Sequence, residues 1–245
     1  MRFMMRSKVQ LLAIGLILGA QGSARAQDQD PVAFCLESGL NAIIGSEGDD
    51  VLVGTEGADC IVGLAGQDII DALGGDDVVF GGAGDDDVDG GGGNDELRGG
   101  LGQDSLSGGS GNDELLGQEG DDALSGGDGD DVLLGGAHND VLVAGDGDDV
   151  LSGQDGDDQA FGGAGIDSLF GGTGNDVLFG EAGSDTILAG EAGNDQMFGG
   201  EGSNDTLVDA EGANQLDGGD GGADNCQFDP SLSSAVACEI IVPVG

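Results

Sequence analysis

Aspartate recurs every nine residues through the middle of the chain, and this spacing is the feature of the sequence that could do chemistry. Sixteen Asp follow one another at nine-residue steps without a miss. A regular row of carboxylates without basic partners predicts a cation-binding array, because each carboxylate offers two oxygen ligands. The sixteen candidate metal ligands are Asp50, Asp59, Asp68, Asp77, Asp86, Asp95, Asp104, Asp113, Asp122, Asp131, Asp140, Asp149, Asp158, Asp167, Asp176 and Asp185.

The charge balance restricts the classes of partner. The chain has 49 acidic and 5 basic residues. Four basic residues, Arg2, Arg6, Lys8 and Arg25, lie near the N-terminus, so the body keeps only Arg98. Nucleic acid and anionic membranes are excluded as partners, whereas cations and basic surfaces are favoured. Ca²⁺ fits best, because it takes oxygen ligands in a flexible geometry, whereas zinc requires Cys or His and magnesium a tight octahedron.

The elements that would position these Asp follow from the nine-residue unit G-G-x-G-x-D-x-U-x, in which U is aliphatic. Gly stands two residues before each Asp except at His138, and an aliphatic residue stands two after it except at Ala160. A nine-residue period predicts a β-solenoid in which short strands alternate with glycine turns. One coil then takes eighteen residues, and two parallel sheets face each other across rows of Leu, Ile and Val.

Stacking the coils would place the Asp in two ladders, one beginning at Asp50 and the other at Asp59. At a spacing of ~4.8 Å, the repulsion between adjacent carboxylates is roughly 3.5 kcal/mol at an effective dielectric of 20. Since the body offers only Arg98 as a basic side chain, the ladders require bound cations. The alternative is a disordered acidic chain, and this describes the calcium-free state better than the calcium-bound state. We expect no enzyme activity, because His138 has no catalytic constellation around it.

The repeat resembles the RTX (repeats-in-toxin) haemolysin-type calcium-binding nonapeptide. This resemblance implies a right-handed parallel β-roll over residues 45–225, with Ca²⁺ between the turns. Asp carboxylates and turn carbonyls of repeats two apart would hold the ion. Departures from the unit at His138, Ala72 and Ala144 predict weaker individual sites, as do the ten-residue steps to Asp195 and Asp205.

The N-terminal 26 residues have the pattern of a secretory signal peptide. A basic segment precedes the apolar run LLAIGLILGA, and Ala24-Arg25-Ala26 matches a small-x-small cleavage site. A membrane anchor is the alternative, but the run is shorter than the ~20 residues that a span needs. We therefore expect a secreted protein, extracellular or periplasmic, with an N-terminal cap at 27–44 and a C-terminal cap at 226–245.

Export to an oxidising compartment favours disulfides among the four cysteines, Cys35, Cys60, Cys226 and Cys238. Four cysteines allow three pairings. Proximity along the chain favours Cys35 with Cys60 and Cys226 with Cys238, so that each bridge would close one end of the solenoid.

An aromatic stripe provides a second candidate surface. Phe161, Phe179 and Phe198 should stack on the outer face of one sheet, where they could mediate self-association or bind a protein or cell-surface partner. The alternative is the ordinary β-propensity of Phe. The sequence therefore predicts an exported calcium-binding repeat module, or a calcium-dependent adhesin or matrix component that uses an outer sheet face.

Overall fold

A computed structural model of the chain consists of two parallel β-sheets that face each other across a shared core. The structure describes residues 30–188, 193–202, 204–208, 214–221, 224–228, 234–236 and 240–243. The predicted signal peptide at 1–26 and Cys238 lie outside these residues. The chain alternates between the sheets, which makes a parallel β-roll of the predicted class.

Successive coils stack so that strands from the same side of the roll are neighbours in one sheet. Sheet A contains β1 (Asn41–Ile44), β3 (Asp59–Ala65), β5 (Val78–Ala83), β7 (Glu96–Leu101), β9 (Glu114–Glu119), β11 (Val132–Ala137), β13 (Val150–Asp155), β15 (Ser168–Thr173), β17 (Thr186–Leu188), β19 (Thr206–Val208), β22 (Asn225–Phe228) and β24 (Ile240–Pro243). Sheet B contains β2 (Val51–Thr55), β4 (Ile69–Leu73), β6 (Asp87–Gly92), β8 (Ser105–Ser110), β10 (Ala123–Asp128), β12 (Val141–Asp146), β14 (Gln159–Gly165), β16 (Val177–Gly183), β18 (Gln196–Gly202), β20 (Gln215–Asp217) and β23 (Ser234–Val236), and the short β21 (Asp220–Gly221) also pairs with β18.

The strand register confirms the eighteen-residue coil. Leu133 in β11 pairs with Leu151 in β13, and Leu124 in β10 pairs with Leu142 in β12. Ten of the 24 described strands have six residues, because the residues after the turn glycine also pair with the neighbouring coil. Inserted residues near the C-terminus leave the stacking intact, since Leu178 pairs with Met197.

The core consists mainly of the aliphatic residue that follows each ladder Asp by two positions. These side chains form one continuous cluster that runs the length of the roll, with representative members Ile61, Leu106 and Leu169 at most 1% exposed. Ala160, the exception to the aliphatic pattern, is also buried in this cluster. Side chains alternate along a strand, so the residues on either side of each core position face outward.

A short helix covers the N-terminal end of sheet A. The helix α1 (Pro31–Ser38) begins after Asp30, whose carboxylate accepts a hydrogen bond from the Val32 N–H at 3.0 Å, and it ends at Gly39. A disulfide joins Cys35 in α1 to Cys60 in β3, as the pairing by proximity predicts. The helix packs on Val62 and Phe80.

Both sheets extend into the segments that the sequence assigns to caps. Sheet A begins with β1, before residue 45, and continues to β24, beyond residue 225. In the described part of the chain, no helix combines the length and the apolar character that crossing a membrane would require.

Candidate metal centre

The repeated Asp lie where the chain enters each strand, and they form the two predicted ladders. Asp104 precedes β8 in sheet B, whereas Asp113 precedes β9 in sheet A. The backbone N–H of each ladder Asp donates to Oδ1 of the Asp one coil further on, as from Asp104 to Asp122 at 2.8 Å. This hydrogen bond holds one carboxylate oxygen in place. The sequence analysis considered only the repulsion between the carboxylates and did not predict this bond.

The second carboxylate oxygen, Oδ2, is buried without a hydrogen-bond partner among the described residues in fourteen rungs. The residues concerned are at most 2% exposed. They are Asp68, Asp77, Asp86, Asp95, Asp104, Asp113, Asp122, Asp131, Asp140, Asp149, Asp158, Asp167, Asp176 and Asp185. A buried carboxylate oxygen without a partner is strongly destabilising unless a proton or a cation neutralises it.

Burial raises the pKa of many ladder carboxyl groups above their ordinary value. Desolvation is the main cause; the backbone hydrogen bond opposes it and neighbouring carboxylates add to it. The pKa is raised to about 7 for Asp95, Asp104, Asp131, Asp140, Asp167 and Asp176, and to about 6 for Asp86, Asp149, Asp158 and Asp185. A proton would therefore compete with any cation for these oxygens at neutral pH.

Glycine keeps the space open beside twelve of these fourteen oxygens; Ala72 and Ala144 stand at the corresponding place before Asp77 and Asp149. A Cβ on Gly90 would lie 2.6 Å from Oδ2 of Asp95 and 2.9 Å from the carbonyl oxygen of Gly108. A carboxylate oxygen and a carbonyl oxygen of the next coil thus approach each other across a residue without a side chain. These are the oxygen types that Ca²⁺ prefers, so the residues fit this ion.

The arrangement does not fit a metal held by side chains alone. Within the described residues, no three His, Cys, Asp or Glu side chains form a cluster that could hold a metal ion. Each ladder contributes one inner carboxylate per coil, so an ion between coils would also need backbone carbonyls as ligands. This requirement favours calcium over zinc.

An outer ladder of Asp and Asn, which sequence reasoning missed, runs beside each inner one. Its members directly precede the inner Asp, and their Oδ1 accepts from the backbone N–H one coil further on; the Gln103 N–H, for example, donates to Asp85 Oδ1 at 3.0 Å. The inner carboxylates instead accept a hydrogen bond from a backbone N–H one coil earlier in the chain. The outer acceptors are Asp49, Asp76, Asp85, Asn94, Asn112, Asp121, Asp130, Asn139, Asp148, Asp157 and Asn175.

The inner ladders continue beyond the strictly spaced repeats. The N–H of Asp176 donates to Asp195 Oδ1 at 3.0 Å, and that of Asp185 to Asp205 Oδ1 at 2.9 Å. Asn214 and Asp224 extend the same rows. The ten-residue steps predicted weaker sites here, but the inserted residues do not move Asp195 and Asp205 out of their ladders. The presence of an Asp directly before each strand would have predicted these rungs.

The three departures from the repeat unit, at His138, Ala72 and Ala144, do not displace the ladder Asp that follow them. His138 replaces the turn glycine with a φ of 84°, yet Asp140 still joins its ladder at 2.8 Å from the Asp122 N–H. Ala72 and Ala144 are buried in the core cluster. The rungs that follow them, Asp77 and Asp149, remain in line.

Comparison with known proteins agrees with this arrangement. The family model of the RTX calcium-binding nonapeptide repeat (4 copies) matches residues 38–70, 62–97, 98–133, 116–151, 134–169, 161–192, 187–204 and 202–222. The chain belongs to this family. RTX repeats bind Ca²⁺, so this is a calcium-binding repeat protein. A comparison with curated proteins found no match.

Proposed function

We propose that this RTX chain is an exported module whose roll folds as Ca²⁺ binds between its glycine turns. The observation that carries the proposal is the buried Oδ2 without a described partner, repeated in fourteen successive rungs. The ladder Asp would be the carboxylate ligands, and turn carbonyls such as that of Gly108 would complete the ligand set.

The chain's own residues prepare these sites. The backbone N–H of one coil holds Oδ1 of the next, and in twelve of the fourteen rungs Oδ2 then lies beside the glycine that precedes the Asp by five residues. Bound Ca²⁺ supplies the positive charge that the ladders need. Because each rung connects two coils, we expect calcium binding and folding to be coupled and cooperative.

Circular dichroism of residues 27–245 during a calcium titration at fixed ionic strength tests the proposal. We expect little β signal in excess chelator and a cooperative rise with Ca²⁺ near ~0.1 to 1 mM, the range of extracellular calcium modules. Magnesium at the same concentration is the control. A complete β signal in chelator, or an equal response to magnesium, would overturn the assignment of these Asp as calcium ligands.

Export is supported by the basic and apolar pattern of residues 1–26 and by the disulfide between Cys35 and Cys60. Disulfides persist in oxidising compartments, either outside the cell or in the periplasm. The predicted mature chain begins at Gln27. Intact-mass measurement of protein recovered from the medium or periplasm checks this, since retention of residues 1–26 would contradict cleavage there.

A calcium-dependent adhesin or matrix component is the second candidate, and the aromatic stripe favours it. The ring of Phe179 stacks on Phe161 at 5.1 Å and on Phe198 at 4.7 Å between centroids. The exposed Val143 continues the stripe through its pairing with Phe161. An open groove of about 620 Å³ beside the rings is lined by Phe179, Phe198, Glu181, Glu201, Asp217 and Asp220. The aromatic and acidic side chains suit a partner with apolar and basic groups, or a second copy of the chain that packs through the same Phe rings.

Replacing the three stacked Phe with Ser tests this second candidate. Light scattering should show calcium-dependent association of the parent chain that the triple variant lacks, while circular dichroism shows the same calcium-induced folding in both. A parent chain that is strictly monomeric at high concentration would remove self-association through this face.

A further inference from the structure

The first rung of each inner ladder differs from all fourteen rungs described above. Oδ2 of Asp50 accepts hydrogen bonds from the Ser46 N–H at 2.6 Å and the Ser46 hydroxyl at 2.9 Å. Oδ2 of Asp59 accepts from the Thr55 N–H at 2.5 Å and the Thr55 hydroxyl at 3.0 Å. In these two rungs the protein itself satisfies the oxygen that later rungs leave without a described partner.

The backbone four residues before each Asp explains the difference. In the fourteen later rungs this residue has a positive φ throughout, whether it is Gly, as at Gly100 with 126°, or not, as at Gln118 with 86°. None of the fourteen carries a hydroxyl group. Ser46 and Thr55 lie outside the left-handed region, and their N–H and hydroxyl groups both donate to the carboxylate. A left-handed turn therefore accompanies every one of these fourteen rungs.

The other oxygen of Asp59 also has a substitute partner. Later rungs accept from the backbone N–H of an Asp one coil earlier, but Asp59 has Asn41 at that place in the register. The Asn41 side-chain amide donates to Asp59 Oδ1. Both oxygens of this buried carboxylate are thus hydrogen-bonded by protein groups, so the rung does not need a cation to compensate its burial.

Covalent and apolar contacts stabilise the same end of the roll. The disulfide partner Cys60 directly follows Asp59, and it ties β3, the second strand of sheet A, to α1. Phe34 in α1 contacts Phe80 at 5.9 Å between ring centroids, in an edge-to-face arrangement. Neither interaction involves a metal ion.

We infer that the calcium sites of this chain begin at Asp68, and that Asp50 and Asp59 are structural rungs closed by Ser46, Thr55 and Asn41. Residues 31–65 then form a calcium-independent nucleus onto which later coils add as calcium binds. This inference rests on the proposed function and reassigns two of the sixteen predicted ligands. It gives the roll a direction of growth, from its N-terminal end toward its C-terminal end.

Counting bound ions in mature full-length variants tests the site assignment. Equilibrium dialysis against saturating Ca²⁺, followed by metal analysis, measures the number of ions bound per chain. Asp59→Asn should bind as many ions as the parent chain. Asp104→Asn should bind at least one ion fewer, because it replaces a carboxylate whose Oδ2 has no hydrogen-bond partner among the described residues. Loss of an ion from Asp59→Asn would overturn the inference alone. If the parent chain binds no calcium, the proposed function itself fails.

Hydrogen exchange in excess chelator tests the nucleus. In the mature parent chain, we expect amides of β1 and β3 to be protected at least tenfold more than those of β8 to β16. Combining Ser46→Ala with Thr55→Val should abolish this difference, whereas Thr173→Val, which removes an exposed hydroxyl bonded to Asp155, should not. Uniformly fast exchange of the parent chain in chelator would overturn the nucleus. Recovery of full protection of the double variant in calcium controls for misfolding.

Discussion

The residue two positions before each ladder Asp illustrates how strictly the turns select glycine. His138 is the exception, and its backbone is left-handed at a φ of 84°, whereas Gly120 and Gly156 at the same place in adjacent coils have 140° and 154°. A residue with a Cβ in this conformation is disfavoured by roughly 1 to 2 kcal/mol. The greater freedom of glycine in the unfolded chain offsets part of that cost.

We therefore predict that His138→Gly stabilises the roll by about 0.5 to 1 kcal/mol. Urea unfolding in saturating calcium measures this as a higher midpoint at an unchanged slope. A lower midpoint would show that the imidazole, whose Nδ1 lies 2.8 Å from the Ala137 carbonyl oxygen, contributes more than the backbone strain costs.

Glycines at equivalent places in the repeat differ in the space around them, and this supplies a matched pair. A Cβ on Gly102, which has a φ of 132°, would collide with the carbonyl group of Gly84 in the coil before. A Cβ on Gly48 would contact nothing within 4 Å. We expect Gly102→Ala to destabilise the calcium-loaded roll by about 1 to 3 kcal/mol, and Gly48→Ala to change it by less than about 0.5 kcal/mol. Equal effects in calorimetry would contradict the close packing of the turns.

Among the elements, the helix α1 depends on its covalent link to the first coil. The disulfide closes a loop with a sequence separation of 25, for which the chain-entropy model predicts roughly 3.5 kcal/mol of stabilisation. Replacing both Cys35 and Cys60 with Ser should lower the protection of the Ile61 and Val62 amides in calcium. Protection of amides in β11 and β13 is the internal control, and an unchanged N-terminal end would show that apolar packing alone holds α1.

The sequence predicts the elements well where one residue type repeats at one spacing. The coil length, the two sheets, the core rows and the Cys35–Cys60 bridge all follow from period and proximity. The pairing of Cys226 with Cys238 stays a prediction; Cys226 is buried and disulfide-bonded.

Details that depend on orientation were not predictable. A period places Asp104 near Asp122, but only the geometry shows that one oxygen accepts a backbone N–H and the other does not. Likewise, Ser46 and Thr55 look like ordinary turn residues until their φ and their hydrogen bonds to Asp50 and Asp59 are known. Strict counting also undervalued Asp195 and Asp205, because a solenoid can carry inserted residues without displacing its rungs.

For the whole molecule, the raised pKa values predict opposite effects of acid with and without calcium. In chelator, a folded-state pKa of about 7 at Asp104 or Asp140, compared with 3.8 ordinarily, means that the folded state binds protons more tightly. The stability that these protonated carboxyl groups contribute to the folded state is fully present below about pH 4 and is lost as the pH rises through about 7. Calcium requires the ionised carboxylates, so its binding weakens in the same acidic range.

Circular dichroism across about pH 4 to 8 checks this prediction at two calcium concentrations. In chelator, β signal should increase as the pH falls toward about 4; in calcium, the concentration needed for half-maximal folding should rise as the pH falls below about 7. A chelated chain with the same signal at both ends of this range would contradict the raised pKa values.

The eighteen-residue coil also determines how the protein would respond to a pulling force. Each folded coil advances the roll by only ~4.8 Å, the spacing between neighbouring strands, whereas eighteen extended residues span about 60 Å. Releasing one coil would therefore lengthen the chain by about 55 Å, and rebinding of calcium would draw it back. Held at both ends, the roll would act as an extensible tether whose reach is set by ion concentration. The Cys35–Cys60 bridge keeps the first coil from contributing to that extension.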